Sequence, residues 1–130
     1  MVVSDTSAMI SGMAPVLDRT VWHFCSGVDT DVAQMALATF REEEGLSCIL
    51  SAEQAEGFSQ DLPMARITLT VHSALDGVGL TAAVATALAQ ADIPCNMVAA
   101  FHHDHAFVPW AARDKAMSIL QDLASRGAAS

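Results

Sequence analysis

Alternation of apolar and polar positions is clearest over Ala65–Ser73, where Ile67, Leu69 and Val71 alternate with Arg66, Thr68, Thr70 and His72. A period of two with one apolar side predicts a strand with one buried face. After a break at Ser73–Gly77 comes VGLTAAVATALAQA, Val78 to Ala91, a run of strong helix formers whose polar members are Thr81, Thr86 and Gln90. Apolar positions run almost all round that helix, so packing on two sides is expected of it. IPCNMVAAF then reads as a strand, HHDH as its turn and AFVP as the returning strand. Ala111 to Ser125 closes as an amphipathic helix with Ala112, Ala116, Ile119, Leu120 and Leu123 inward, and RGAAS is expected to fray.

The first half reads similarly. Ser4 to Met13 can form a short amphipathic helix stopped by Pro15, and TVWHFCS alternates as a strand. SGVDTDVAQ is a polar break with room for one helical turn. ALATFR and LSCIL flank EEEG, a hairpin in which Gly45 supplies the turn. Ser51 and Gln54 have the spacing of a capping box for a short helix ended by Gly57, and Asp61, Leu62 and Pro63 form a linker. The resulting order is β-α-β-β-α in the second half and, less regularly, β-turn-β-β-α in the first. This predicts an α+β fold of two ferredoxin-like βαββα units in tandem, residues 1–62 with a leading helix and 63–130, with mixed sheets and helices on one face. An uncovered sheet face and free strand edges would favour a homo-oligomer, in the first instance a dimer.

Composition narrows the function classes. The 130 residues are 52% apolar with a formal charge of −9, which supports a packed core and argues against nucleic-acid and membrane-surface partners. Cys25, Cys48 and Cys95 are far apart in apolar runs, without metal-ligand or redox spacing. They are expected as buried thiols in a reducing, cytoplasmic setting. The N-terminal residues lack the pattern of a signal peptide, and Val78 to Ala91 is too short and too weakly apolar to span a bilayer.

ITLTVHSALDGVGLTAAVATALAQADIPCNMVAAFHHDHAFVP resembles the C-terminal half of small bacterial proteins built from two ACT-like halves, most specifically in H-D-H-x-F-V-P. ATFREEEGLSCIL after the W-H-F-C strand extends the resemblance over roughly Met13 to Leu123. It implies a non-catalytic regulatory module that binds an amino acid or similar effector, with the strand-to-helix loop in contact with it. No cofactor is implied. An oligomeric scaffold without a ligand is the first alternative, and a metal-assisted enzyme using His102, His103, Asp104 and His105 the second.

The residues themselves single out the segment before the long helix. A helix N-terminus carries unpaired amides and a partial positive charge, suited to a carboxylate. Gly77 and Gly79 permit close approach, and Asp76 is placed to cap the helix or hold an ammonium. The expected ligand set is His72, Ser73, Asp76, Gly77, Val78 and Gly79, joined by Asn96 on the parallel strand expected alongside; structural capping and strand-end roles for Asp76 and Asn96 are the competing reading. His72, Ser73 and Asp76 contain triad residue types, but three residues on one short segment rarely converge as nucleophile, base and orienter. The HHDH stretch reads as a polar turn whose side chains splay apart, without a metal.

Overall fold

The computed structural model describes residues 2, 5–60, 62–72 and 77–129. In chain order the elements are α1 (Thr6–Ser11), β1 (Pro15–Leu17), β2 (Trp22–Ser26), α2 (Thr30–Ala33), β3 (Ala38–Glu42), β4 (Gly45–Ser51) and α3 (Ala52–Ala55). There follow β5 (Ser59–Gln60), β6 (Met64–Leu69), α4 (Leu80–Gln90), β7 (Asn96–Ala99), β8 (Asp104–Pro109) and, after a 3-10 turn at Trp110–Ala112, α5 (Arg113–Ala129). The elements form an α+β, ferredoxin-like fold of helices and strands whose described pairings in β1–β6, β2–β4, β2–β5, β3–β4 and β7–β8 are antiparallel.

By compactness residues 1–18 and 66–130 form one unit and residues 19–65 the other, so the boundary falls inside β6. This grouping differs from a cut after residue 62, because β1 pairs antiparallel with β6 (Pro15 opposite Leu69, Leu17 opposite Ile67) and α1 packs on α4 and α5. Helix α1 ends at Ser11 with Gly12 as its C-cap, short of the expected Met13, and Pro15 opens a three-residue strand whose partner lies some fifty positions away, beyond the reach of local periodicity.

In the first unit the strand order is β6-β8-β7, with β1 on the other side of β6. Met9, Met13, Ile67, Leu69, Leu80, Val84, Leu88, Val108 and Leu120 are buried. The hairpin returns into the sheet through β8, whose Ala106, Phe107 and Val108 are all buried, and leaves β7 outermost with an exposed–half-buried–half-buried–exposed pattern. Asn96 is therefore exposed opposite Phe107, and β8 stands between its strand and β6. The adjacency expected for Asn96 is corrected: AFV, apolar without interruption, belongs to the inner strand.

Helix α4 differs from expectation too. It buries one stripe, Leu80, Val84 and Leu88, while Thr81, Ala82, Thr86 and Ala89 are exposed. Alanine counts as apolar, but leaving its single methyl in water costs little, so the all-round pattern did not demand two-sided burial. At the other end, α5 continues through the segment expected to fray. Gly127 lets it approach α1, since a Cβ there would lie 2.9 Å from Ile10 Cγ2.

In the second unit the strand order is β3-β4-β2, with β5 on the side of β2 away from β4, where Trp22 also pairs with Met64. Trp22–Ser26 pairs with Ser47–Ser51 and Ala38–Glu42 with Gly45–Ile49, so the hairpin closes over Glu43 and Glu44 with Gly45 at φ 139°. Cys25, Cys48, Leu50 and Ala55 form its buried centre, packed by Val28, Val32, Leu46 and Phe58. The Ser51 hydroxyl accepts from the Gln54 amide at 3.4 Å and caps α3. Cys25 and Cys48 are buried free thiols, and Cys95, in the first unit, is half-buried. Burial raises the thiol pKa of Cys95 and, helped by the charge of Cys48, that of Cys25.

Candidate functional site

The expected ligand loop joins β6 to α4. Of its residues His72, Gly77, Val78 and Gly79 are described; Ser73 and Asp76 lie outside the described residues. Gly79 adopts φ 111°, a region that disfavours side chains, and is the N-cap of α4 without a side-chain cap. The helix therefore begins at Leu80 rather than Val78, and the N-cap position is taken by Gly79, not Asp76. The first intrahelical bond runs from the Ala83 amide to the Gly79 carbonyl at 2.9 Å, which leaves the amides of Leu80, Thr81 and Ala82 without an intrahelical acceptor.

Thr6, at the start of α1, sits against this end of the connection. Its hydroxyl donates to the Val78 carbonyl, and a Cβ on Gly79 would come within 2.6 Å of Thr6 Cγ2. Val78 itself turns outward, 76% exposed. At the other end, His72 meets the tip of the β7–β8 hairpin: its ring centroid is 6.1 Å from Phe101 and 5.6 Å from His102. His102 in turn lies 5.0 Å from Phe101, edge to face. These ring contacts bring Phe101 and His102 beside the described start of the loop. Neither aromatic spacing nor local periodicity in the sequence signals that meeting, which depends on how long the hairpin arms are.

The turn itself is Ala100–His103, closed by the Ala100 amide on the His103 carbonyl at 3.1 Å, with Ala99 opposite Asp104. Asp104 and His105 are strand residues, which corrects their expected place in the turn. Alternation then separates their faces: Asp104 is buried, whereas His105 Nδ1 lies 3.0 Å from the Thr68 hydroxyl on β6. Burial, then the nearby Arg66 charge and the neighbouring His103 ring, lowers the His105 pKa from its ordinary 6.5, which favours the neutral imidazole. Arg66 itself donates through Nη2 to Asp18 Oδ2 at 2.9 Å. Among the described residues no three His, Cys, Asp or Glu side chains form a group able to hold a metal ion. None of their helices is long and apolar enough to cross a membrane.

Comparison with known proteins supplies the family. Two models described as ACT domain match in tandem, over residues 3–64 and 65–122. A Vibrio cholerae protein of unknown function, described as a possible transport protein, is 39% identical over 91% of this chain and 94% of its own, with a TM-score of 0.80. An Agrobacterium tumefaciens protein matches at 18% identity over 81% of this chain and 84% of its own, TM-score 0.68. The aspartate kinase of Clostridium acetobutylicum, an allosteric enzyme, shares the fold at 8% identity and TM-score 0.67, with 84% of this chain covering 34% of the kinase. Among curated proteins none matches.

Proposed function

This chain belongs to the ACT-domain family, with two such domains in tandem, and from that premise we propose that it is a non-catalytic regulatory protein whose effector is an amino acid. The observation that carries the reading is the start of α4. A left-handed Gly79 without a capping side chain leaves three successive amides for an anion, on a helix long enough and buried enough to hold them still. An α-carboxylate is the group these amides suit. His72, Gly77, Val78 and Gly79 form the described part of the proposed pocket, and Ser73 and Asp76 the remainder of the sequence-based set. Asn96, on the far side of β8, is left out of it. The acidic charge and free thiols fit a cytoplasmic homo-oligomer.

Thermal unfolding in the presence of each standard amino acid tests this. A native-state ligand at a hundred times its Kd adds about 2.7 kcal/mol and raises the midpoint by several degrees. No shift with any of them would remove the amino-acid reading. A second reading, an oligomeric interaction protein without an effector, is favoured by Met35 and Phe40 around outer strand β3, 60% and 73% exposed. Gly77→Trp separates the two: a lost ligand response with an intact oligomer supports the sensor, and a broken oligomer supports the scaffold.

A further inference from the structure

The N-terminal segment reaches both ends of the β6–α4 connection. At one end Thr6 donates to the Val78 carbonyl and its methyl occupies the space beside Gly79. At the other, the Thr70 amide donates to the Met13 carbonyl at 2.6 Å, the Thr70 hydroxyl donates to the Ala14 carbonyl at 3.0 Å, and Gly12 lies against Val71. Between these contacts runs α1, which spans about 9 Å from Thr6 to Gly12 at helical rise. Six residues do not make a stable helix alone, so α1 exists through what it touches. Met9 and Met13, 1% and 0% exposed, and the close approach of Ile10 to Gly127 hold its inner side to the core. Thr6, by contrast, is exposed, and its bond lies on the surface.

We propose that α1 is a strap that fixes Val78 and Gly79 at the start of α4, with the Thr6 hydroxyl on the Val78 carbonyl as its catch. The Met9 and Met13 end is the fixed anchorage, and the Thr6 end is the part that releases. Whatever moves Val78 and Gly79 must displace Thr6, and whatever loosens the first turn of α1 frees the start of α4. The coupling is reciprocal, as any linkage between two packed elements must be. This device operates whether or not an effector binds at α4.

Amide hydrogen exchange on the full chain tests it, because the Ala83 amide reports the first bonded turn of α4 and the Met9 amide that of α1. Thr6→Val keeps the shape of the side chain and removes the donor. Exchange at Ala83 is expected to rise about tenfold, with Leu120 unchanged, and Thr6→Ser is expected to restore wild-type exchange. In the reverse direction Gly79→Ala, which drives a methyl into Thr6, is expected to speed exchange at Met9 more than at Leu120. The proposal is overturned if Thr6→Val leaves Ala83 unchanged, or if it speeds Ala83 and Leu120 equally, which would mean only a general loss of stability. Thr6 being exposed, the valine variant folds under the same core, and the serine variant gives an independent reading of the hydroxyl.

Discussion

Each unit has a place where a strand hands over to a helix, and the two differ sharply. In the second unit β2 ends at Ser26, and Gly27 at φ 70° has no atom within 4 Å of where its Cβ would be. The helix that follows, α2, is four residues long, buries none of them completely, and is preceded by Asp29 without a side-chain cap. In the first unit the corresponding helix has eleven residues and three fully packed side chains, and the glycine before it is pressed against Thr6. Helical stability in a protein comes mostly from packing, so α4 can hold the amides of its first turn in fixed positions while a single loosely seated turn cannot. The same topological position is thus built up in one repeat and reduced in the other, and this is why the proposed effector site is placed on α4.

The largest effect expected from this contrast is at the two glycines. Gly79→Ala should cost about 3 kcal/mol in urea unfolding, combining an unfavourable left-handed backbone with the collision against Thr6. Gly27→Ala meets open space and should cost about 1 kcal/mol, from the backbone alone. Equal costs would break the comparison, since they would mean that Gly79 is no more confined than Gly27.

A smaller effect sharpens it further. The neutral form of His105 is favoured in the folded first unit, with a pKa below the ordinary 6.5 of an exposed imidazole. The unfolded chain then binds the extra proton first, so His105 favours folding fully above about pH 6.5 and progressively less as pH falls through the lowered value. Melting midpoints measured from about pH 8 to about pH 5 should therefore fall less steeply in His105→Asn than in wild type. Parallel curves for the two proteins would count against a neutral, desolvated His105.

Much of this architecture can be read from local pattern. Alternation along Arg66–Val71 found β6, Gly45 marked the tight hairpin, and the Ser51–Gln54 spacing found the cap of α3. Those features depend on residues within a few positions of one another. What local pattern missed depends on distant ones. Strands β1 and β5, three and two residues long, exist through pairing with β6 and β2, and the contact of Thr6 with Val78 joins positions seventy-two apart. The histidine stretch shows an intermediate case. Its residue types were legible, but whether Asp104 sat in the turn or the strand was decided by the register of Ala99 against Asp104. A shift of that kind moves side chains to opposite faces, so the chemistry of HHDH could not be assigned before the pairing was known. Asn96 was misplaced for the same reason, since strand order rather than strand content decides what stands beside β6.

The central claim, that the amides opening α4 receive an amino acid's carboxylate, is tested most directly by following backbone amide resonances during titration with the standard amino acids. Saturable shifts at Leu80, Thr81 and Ala82, with Thr30, Asp31 and Val32 in the second unit unmoved, are the predicted result. Saturable shifts confined to the second unit, or none anywhere, would contradict it.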